Sequence, residues 1–413
     1  MPRLHRRLKI SIYNDPVGSG VGGSEFVAAL LAEALAHDHE VHLFHRVPSL
    51  TVEKLAANSG TNLNGVELGY VADEKPLQLS RRNPLSHYRE SRNALARLSD
   101  SCDVFVAIVH DIPPFCHAAR GALIVLFPAA TAPYVKPLGG LAASAALKHP
   151  ARYAYQSWAW ARRMESYQVK TAISEFSRYW TQKLWGIDCQ IVYPPVDTRF
   201  CRREKQKIIL SVGRFALAGE GHTKKQEQML LAFQRMKENG LAGWDYFSVG
   251  GLPDTPKHKV YFEELSSLAL AGGAHVVANM ERQELKSLYE RASIFWHAAG
   301  YGEETHPVFA EHFGISTVEA MAAGCVPVVI RKGGQKEIVE HGVSGFLWDT
   351  PDELESFTAR LVTDDALRTQ MSEAARKRAK MFSRDAFVEN FLGRLFPGST
   401  TGKQNDSAPT QGE

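Results

Sequence analysis

Two glutamates separated by seven residues, Glu311 and Glu319, stand on either side of a Phe-Gly turn. A helix is expected to begin near Ser316, so the spacing puts both carboxylates beside one helix N-terminus. The unpaired N–H groups and positive dipole end there favour an anion such as a diphosphate, and Gly314 lets a ligand approach the backbone closely. Since a carboxylate accepts hydrogen bonds from hydroxyls, we expect Glu319 to bind a ribose diol and Glu311 to bind sugar hydroxyls.

Two basic residues could neutralise a diphosphate at this helix. Arg214 follows the apolar run KIILSVG, and Lys224 lies in HTKKQ. A departing diphosphate gains negative charge, which cations stabilise in place of a metal. No Asp-x-Asp flanked by apolar residues is found in the sequence, so we predict no metal ligand and a metal-independent site. The competing interpretation is that these charged side chains are simply solvated, which is the common state of any one of them taken alone.

A glycine-rich loop, GSGVGGSE (18–25), connects the first strand to the first helix and contains Gly22 and Gly23. Such a loop is also part of the dinucleotide-binding fingerprint, which needs an acidic residue at the end of the second strand to bind the adenosine ribose. Here that strand ends in His45 and Arg46. The sequence therefore argues against a nicotinamide cofactor, and we expect no cofactor.

Two histidines follow predicted strands. His110 comes after DVFVAIV, and His297 ends SIFWH. The carboxyl end of a parallel strand is where α/β sheets bind ligands, which makes His110 a candidate catalytic residue. A single histidine is as often structural, and for both residues this alternative stays open.

The elements that would position these residues form two α/β series. The first begins with a β-loop-α-β unit and continues through strands that alternate with helices. A second series restarts at KIILSVGRF, where a continuous apolar strand ends at Gly213. We predict four regions from this pattern: an N-terminal Rossmann-like domain (1–195), a C-terminal Rossmann-like donor domain (196–380), a last helix (381–396) and a polar, disordered tail (397–413).

Composition narrows the class of protein. A chain of 413 residues that is 44% hydrophobic can bury two cores. Its 48 Lys and Arg against 45 Asp and Glu give a net charge of +3, too small to indicate a nucleic acid partner. Five widely spaced cysteines without a C-x-x-C pair indicate neither a disulfide framework nor a zinc site, which favours a cytoplasmic location. No apolar run reaches the ~20 residues of a membrane span.

The segment WHAAGYGEETHPVFAEHFGISTVEAMAAGCVPVVIRKGGQKEIVEHGVSGFLW resembles the C-terminal signature of family-four retaining glycosyltransferases, which have the two-Rossmann GT-B fold. SVGRF and the KKQ helix match that family's Arg and Lys, and AISEFSRYW…IVYPPVD resembles its interdomain segment. The resemblance covers most of 8–396 and is strong over 170–350. It implies a fold of two doubly wound domains that face a central cleft, with the last helix crossing back to the N-terminal domain.

The resemblance also implies roles for individual residues. Glu311 would contact the transferred sugar, Glu319 the ribose, and Arg214 with Lys224 the diphosphate. The family's loop approaches the donor phosphates or the acceptor at Gly22 and Gly23. Backbone groups of the turn would hold sugar and diphosphate, at Phe313, Gly314, Ile315, Ser316 and Thr317. The family's usual N-terminal histidine falls at Pro128 in our alignment, one loop after His110.

The implied activity is transfer of a sugar from a UDP- or GDP-linked donor to a glycan or lipid-linked acceptor. The segment EHFGISTVEAMAAGCVPVV resembles the corresponding sequences of the branch that includes dolichol-linked-oligosaccharide mannosyltransferases, which favours GDP-mannose as the donor. Three alternatives stay open: a nucleotide-sugar epimerase on the same fold, a non-catalytic nucleotide-binding subunit, and a glycoside hydrolase. The hydrolase fits least, because its two carboxylates flank a bond from opposite sides.

A basic, aromatic stretch, HPARYAYQSWAWARRMESYQVK (149–170), could contact a membrane. Between 136 and 183 there are eight Lys and Arg against two acids, Glu165 and Glu175. An amphipathic helix of this kind indicates peripheral binding to an anionic membrane surface and a lipid-linked acceptor. The alternative is an ordinary helix that buries its aromatic side chains in the domain core.

Overall fold

The structure is a computed structural model that describes residues 6–14, 22–72, 88–89, 92–128, 150–217 and 223–397. The first four residues of the glycine-rich loop and residues 398–413 of the predicted disordered tail lie outside the described residues, as do Lys136 and Lys148 of the basic stretch.

The N-terminal half is built on a parallel sheet of seven strands in the order β3-β2-β1-β4-β5-β6-β7. Its inner strand β4 is buried on both faces, which is why VFVAIV is a continuous apolar run. The last strand is shorter than the sequence indicates, because Pro194 and Pro195 cannot donate to a ladder. The strands are β1 Lys9–Asn14, β2 Glu40–His45, β3 Val66–Tyr70, β4 Val104–Val109, β5 Arg120–Val125, β6 Val169–Ala172 and β7 Gln190–Ile191.

The C-terminal half repeats this plan with six parallel strands in the order β10-β9-β8-β11-β12-β13. Numbered from its own first strand, the order is 3-2-1-4-5-6, the Rossmann order that the first sheet also follows. The strands are β8 Ile208–Val212, β9 Asp245–Gly250, β10 His275–Ala278, β11 Ile294–His297, β12 Val326–Ile330 and β13 Phe346–Trp348. Two doubly wound sheets are thus confirmed.

Helices cover the faces of both sheets, and local sequence sets their ends. Thr350 caps one helix and pairs with Glu353 in a capping box, while Gly324 ends another in the left-handed region. The helices are α1 Gly23–Ala36, α2 Val52–Ser59, α3 Pro150–Glu165, α4 Glu175–Trp185, α5 Gln226–Glu238, α6 Pro256–Gly272, α7 Arg282–Arg291, α8 Ile315–Ala323, α9 Gln335–Ile338, α10 Pro351–Thr363, α11 Asp365–Ala379 and α12 Arg384–Leu395.

The last helix, α12, returns to the N-terminal half, as predicted. At its start, Arg384 donates to the backbone carbonyls of Ser59 (2.7 Å) and Gly60 (3.0 Å) at the end of α2. At its end, the ring of Phe396 lies 5.8 Å from that of His39. One continuous apolar cluster includes core residues of both halves. The return helix therefore fastens the two halves together.

Candidate active site

Both sheets have their switch point, where the strand order reverses, between the first and fourth strands of the half. Ligands of doubly wound sheets bind at the carboxyl ends of these strands. In the C-terminal half, β8 leads into Arg214 and β11 ends at His297. In the N-terminal half, β1 leads into the glycine-rich loop and β4 into His110. The topology places four predicted features at the two switch points.

A partly buried cluster of three charged or polar side chains lies at the C-terminal switch point. The Oε2 atom of Glu311 lies 2.5 Å from Nζ of Lys224 and 3.0 Å from Nε2 of His297. The side chains of Lys224 and Glu311 are 20% and 19% exposed, and that of His297 only 3%. The carboxylate is thus fixed from two sides, by the residue that ends β11 and by the segment that precedes α5.

Protonation in this cluster follows from burial and charge. Burial raises the pKa of the Glu311 carboxyl, but Lys224 and His297 outweigh it and hold the pKa well below its usual range. Burial lowers the pKa of the His297 ring, and the contact with Glu311 offsets this only in part. At neutral pH, Glu311 is ionised and His297 is neutral. The neutral ring then donates its Nε2–H to Glu311, which leaves Nδ1 as a buried acceptor without a partner among the described residues.

The turn after Glu311 leads into helix α8. Gly314 caps this helix at φ 122°, and a Cβ atom there would lie 2.6 Å from Nε2 of Gln335. Glycine is therefore required both by the backbone angle and by space. The helix begins at Ile315, and the amide of Thr317 already donates to the carbonyl of Gly314 at 3.0 Å, which leaves the amides of Ile315 and Ser316 without an intrahelical acceptor. Phe313 before Gly314 and Thr317 in the first turn of the helix are both buried residues. The arrangement offers an anion the N–H groups of one helix end.

Glu319 lies in the second turn of the same helix. Its Oε2 atom accepts a hydrogen bond from the hydroxyl of Tyr289 at 3.2 Å. Burial raises the pKa of Glu319 to about 7, although Tyr289 acts in the opposite direction. This carboxyl is half protonated near neutral pH, and further hydrogen bonds from a ligand's hydroxyls would favour its ionised form.

The segments that carry Arg214 and Lys224 pack against each other. The side chain of Lys224 packs on Gly213, where an added Cβ atom would lie 2.6 Å from its Cγ atom. The side-chain amide of Gln226 links the same segments, because its Nε2 atom donates to the backbone carbonyl of Arg214 at 3.0 Å. Arg214 is exposed, and its guanidinium has no ion-pair partner among the described residues. The structure thus brings Lys224 to Glu311 and leaves the neighbouring Arg214 facing solvent.

The N-terminal half contributes the opposite side of the site. Gly22 caps α1, and Gly23 faces helix α8, since a Cβ atom at Gly23 would lie 2.9 Å from Cδ1 of Ile315. The glycine-rich loop therefore approaches the same helix N-terminus that follows Glu311. The roles of Gly22 and Gly23 stay a prediction.

His110 lies near the boundary between the halves, beside His312 rather than Glu311. The two histidine rings are 6.1 Å apart. Phe127, which precedes Pro128, stacks on the ring of His312 at 4.0 Å with an angle of 5°. The family's usual histidine position, Pro128, follows Phe127 directly, and the catalytic role of His110 stays a prediction.

Three contacts between the halves were not anticipated from the sequence. The hydroxyl of Ser174 donates to the carbonyl of His312 at 2.6 Å. The carboxylate of Glu337 accepts from the backbone N–H groups of Glu175 (2.7 Å) and Phe176 (2.9 Å), the first residues of α4. The sequence contained one signal for the Glu337 contact. The serine of SEF precedes a helix, and the N-terminus of a helix attracts a carboxylate. Nothing local indicated which carboxylate would bind there.

Helix α3 matches both interpretations of the basic stretch in part. Trp160 is buried and donates to the carbonyl of Trp185 at 2.8 Å, and Arg163 is buried over the ring of Phe115. Trp158, in contrast, is 47% exposed.

None of the helices in the described part of the chain has both the length and the apolar character needed to cross a bilayer. Within the same residues, no three His, Cys, Asp or Glu side chains are grouped as metal ligands would be.

Comparison with known proteins agrees with this geometry. The family model of glycosyl transferases group 1 matches residues 199–378. A GDP-Man:Man(3)GlcNAc(2)-PP-Dol alpha-1,2-mannosyltransferase of Dictyostelium discoideum is 27% identical over 256 residues, which are 56% of this chain and 46% of that protein. An alpha-1,3/1,6-mannosyltransferase of Homo sapiens is 38% identical over 82 residues, 19% of this chain and 20% of that protein. The chain thus spans about half or less of the length of these two relatives.

A solved structure gives the same architecture over nearly the whole chain. The Anabaena protein HepE, crystallised with UDP and glucose, superposes with a TM-score of 0.61 over 94% of this chain and 99% of its own, at 14% identity. At this identity the likeness shows the fold alone. The match extends over both halves of the chain. Residues 199–378 thus match the family model of glycosyl transferases group 1, and the chain as a whole has the two-domain GT-B fold.

Proposed function

We propose that this protein is a retaining glycosyltransferase that moves a sugar from a nucleotide diphosphate sugar to a glycan or lipid-linked acceptor without a bound metal. The observation that carries the proposal is the position of Glu311, ionised and held by Lys224 and His297, immediately before the N-terminus of α8. A carboxylate that can bind hydroxyls and a cation then lie next to the segment that leads into the amides of the α8 N-terminus. A sugar attached to a diphosphate presents the groups that these residues bind.

The proposed mechanism depends on positioning and electrostatics. The donor diphosphate binds the α8 N-terminus with Arg214 and Lys224, Glu319 binds the ribose, and Glu311 binds sugar hydroxyls. The acceptor hydroxyl attacks the anomeric carbon from the face that the diphosphate leaves, so configuration is retained. The bond from the anomeric carbon to the phosphate oxygen breaks, the bond to the acceptor oxygen forms, and the acceptor proton passes to the departing phosphate oxygen. The two cations and the helix amides stabilise the charge that develops.

We further propose that the sugar is mannose and that the donor is UDP- or GDP-linked. Mannose is supported by the names of the two mannosyltransferases reported above, and UDP by the HepE complex. The base would lie along the segment 276–285, which runs from β10 into α7, through contacts with its backbone groups. We assign the acceptor to residues 1–195 and the donor to residues 196–380.

The proposed location of the protein follows from a lipid-linked acceptor. A cytoplasmic enzyme that binds the inner face of a membrane would meet a lipid-linked acceptor there. The exposed Trp158 and the exposed Arg162 on α3 support a peripheral contact, although Trp160 and Arg163 of the same helix pack inside the protein.

The test is transfer and hydrolysis across a panel of donors that pairs UDP and GDP with glucose, galactose, mannose and N-acetylglucosamine. We expect one donor to be consumed fastest, in the presence of EDTA, with the product showing the anomeric configuration of the donor by NMR. Glu311→Gln, which removes charge and keeps shape, should lose most of this activity. Consumption of no donor would contradict the proposal, and release of an epimerised free sugar without an acceptor would favour the epimerase.

A further inference from the structure

A cavity of about 530 Å³ lies at the opposite end of the N-terminal sheet from the candidate active site. Its walls include Arg120, Lys170 and Gln190, which stand at the amino ends of β5, β6 and β7. Arg394 in the last turn of the return helix α12 and Pro397 just after that helix also line it. Because these strands are parallel, their carboxyl ends point to the active site, and the cavity is a separate place in the fold.

The charge in this cavity is mostly positive. Arg120, Lys170 and Arg394 line it against a single carboxylate, Asp188. That carboxylate already accepts hydrogen bonds from Nε of Arg178 and from the backbone N–H of Cys189, each at 3.0 Å. Three cations thus line the cavity with one carboxylate, which Arg178 also contacts, and this excess of positive charge favours an anionic ligand.

The hydrogen bonding of these cations is incomplete. The Nε atoms of Arg120 and Arg394 are buried, and neither has an acceptor within the described residues. Lys170 donates to the carbonyl of Tyr167 at 2.6 Å, which leaves two of its three donors for other partners. Burial lowers the pKa of both Lys170 and Arg394. A buried donor without an acceptor is costly, and a bound anion would satisfy these groups.

We propose that this cavity is a binding site for a phosphate group, present as inorganic phosphate or as a phosphate ester. Two guanidinium groups and one ammonium match the several oxygens and the double charge of phosphate better than the two oxygens of a carboxylate. The volume exceeds that of phosphate alone and leaves room for the substituent of an ester. Since Arg120 belongs to the sheet and Arg394 to α12, the ligand fastens the return helix to the N-terminal half.

Binding is measured on the full chain by isothermal titration with sodium phosphate, at constant ionic strength set with sodium chloride. Arg120→Gln and Arg394→Gln should each weaken phosphate binding by about tenfold or more, because each removes a charge-assisted hydrogen bond. Arg162→Gln, an exposed arginine outside the cavity, is the matched control and should change nothing. Lys224→Ala separates the two anion sites, and we expect it to leave this phosphate binding intact.

The proposal is overturned if both cavity variants bind phosphate like the wild type, or if Lys224→Ala abolishes all binding. Melting in chloride shows whether each variant folds, and Lys170→Gln replaces any variant that does not.

Vesicles distinguish a free phosphate from a lipid headgroup. Co-sedimentation is compared for phosphatidylcholine vesicles with and without phosphatidic acid. Binding to the acidic vesicles that Arg120→Gln abolishes would assign the site to a headgroup. Phosphate binding without co-sedimentation would assign it to a soluble phosphate ester, and both results support the site.

Discussion

The ammonium of Lys224 lies 2.5 Å from the carboxylate of Glu311, although 87 residues separate them in the chain. The contact connects the segment before α5 with the segment before α8, on two sides of the switch point. Lys224→Met removes the cation and leaves Glu311 with His297 alone. We expect a loss of about 1 to 3 kcal/mol in the free energy of unfolding, because a mostly buried carboxylate loses its charged partner. Urea denaturation compares this variant with Lys259→Met, whose lysine pairs with Asp254 in solvent and should contribute little. An equal loss of unfolding free energy in the two variants would contradict the expectation.

Much of this site could be predicted from the sequence because its parts are local. Glu311, Gly314 and Glu319 lie within nine residues, so helix periodicity and turn chemistry place them together. Arg214 follows a strand, and strand ends are where doubly wound sheets bind ligands. The expectation that the two halves face each other came from the family resemblance.

The rest could not be predicted because it depends on contacts between distant segments. The hydrogen bond from Ser174 to the carbonyl of His312 joins residues 138 positions apart, and the stack of Phe127 on His312 also crosses the two halves. Nothing in either local sequence specifies the partner. For the same reason, the sequence left the role of His297 open, and only the fold brings its ring to Glu311.

His297 should act as a positioning residue for Glu311. His297→Ala removes the hydrogen bond that orients the carboxylate, and we expect kcat to fall by about tenfold to a hundredfold with a smaller change in KM. His297→Gln, whose amide can reach a similar point, should recover part of the loss. Steady-state kinetics of the three proteins test this, and equal defects in both variants would reduce His297 to a packing role.

Nucleotide binding should depend on pH through Glu319, whose pKa burial raises to about 7. The ionised form accepts hydrogen bonds from a ribose diol, so affinity should decrease as pH falls below about 7, approaching tenfold per unit well below it. The sign for stability is opposite: the protonated form is favoured in the folded protein, so this contribution is present below the pKa of the unfolded chain and is lost as pH rises through 7.

Titration calorimetry between pH 5.5 and 8 measures the affinity, with Glu319→Gln as the control. Any pH dependence that the control keeps belongs to other groups, including the nucleotide's own phosphate. If the wild type and the control have the same slope, Glu319 does not bind the ribose as an ionised group.

Activity should be sensitive to the size of any side chain introduced at position 23, because Gly23 of the N-terminal half faces Ile315 of the C-terminal half. A Cβ atom at Gly23 would lie 2.9 Å from the end of the Ile315 side chain. Gly23→Ala should therefore lower kcat/KM by a few fold, and Gly23→Val by about tenfold or more, since overpacking displaces elements. The matched test adds Ile315→Val, which removes that terminal methyl group. Recovery of Gly23→Ala activity in the double variant is expected, and no recovery would place the defect within the loop itself.

The diphosphate site can be tested directly by comparing a nucleoside diphosphate with its monophosphate. Calorimetry first identifies the base that the wild type binds best. Arg214→Ala and Lys224→Ala should then each weaken diphosphate binding by about tenfold or more, because each removes a charge-assisted contact, with a much smaller effect on the monophosphate. Arg235→Ala, an exposed arginine on α5, is the control. If both substitutions leave diphosphate affinity unchanged, or weaken both nucleotides equally, the assignment of the diphosphate to these two cations is wrong.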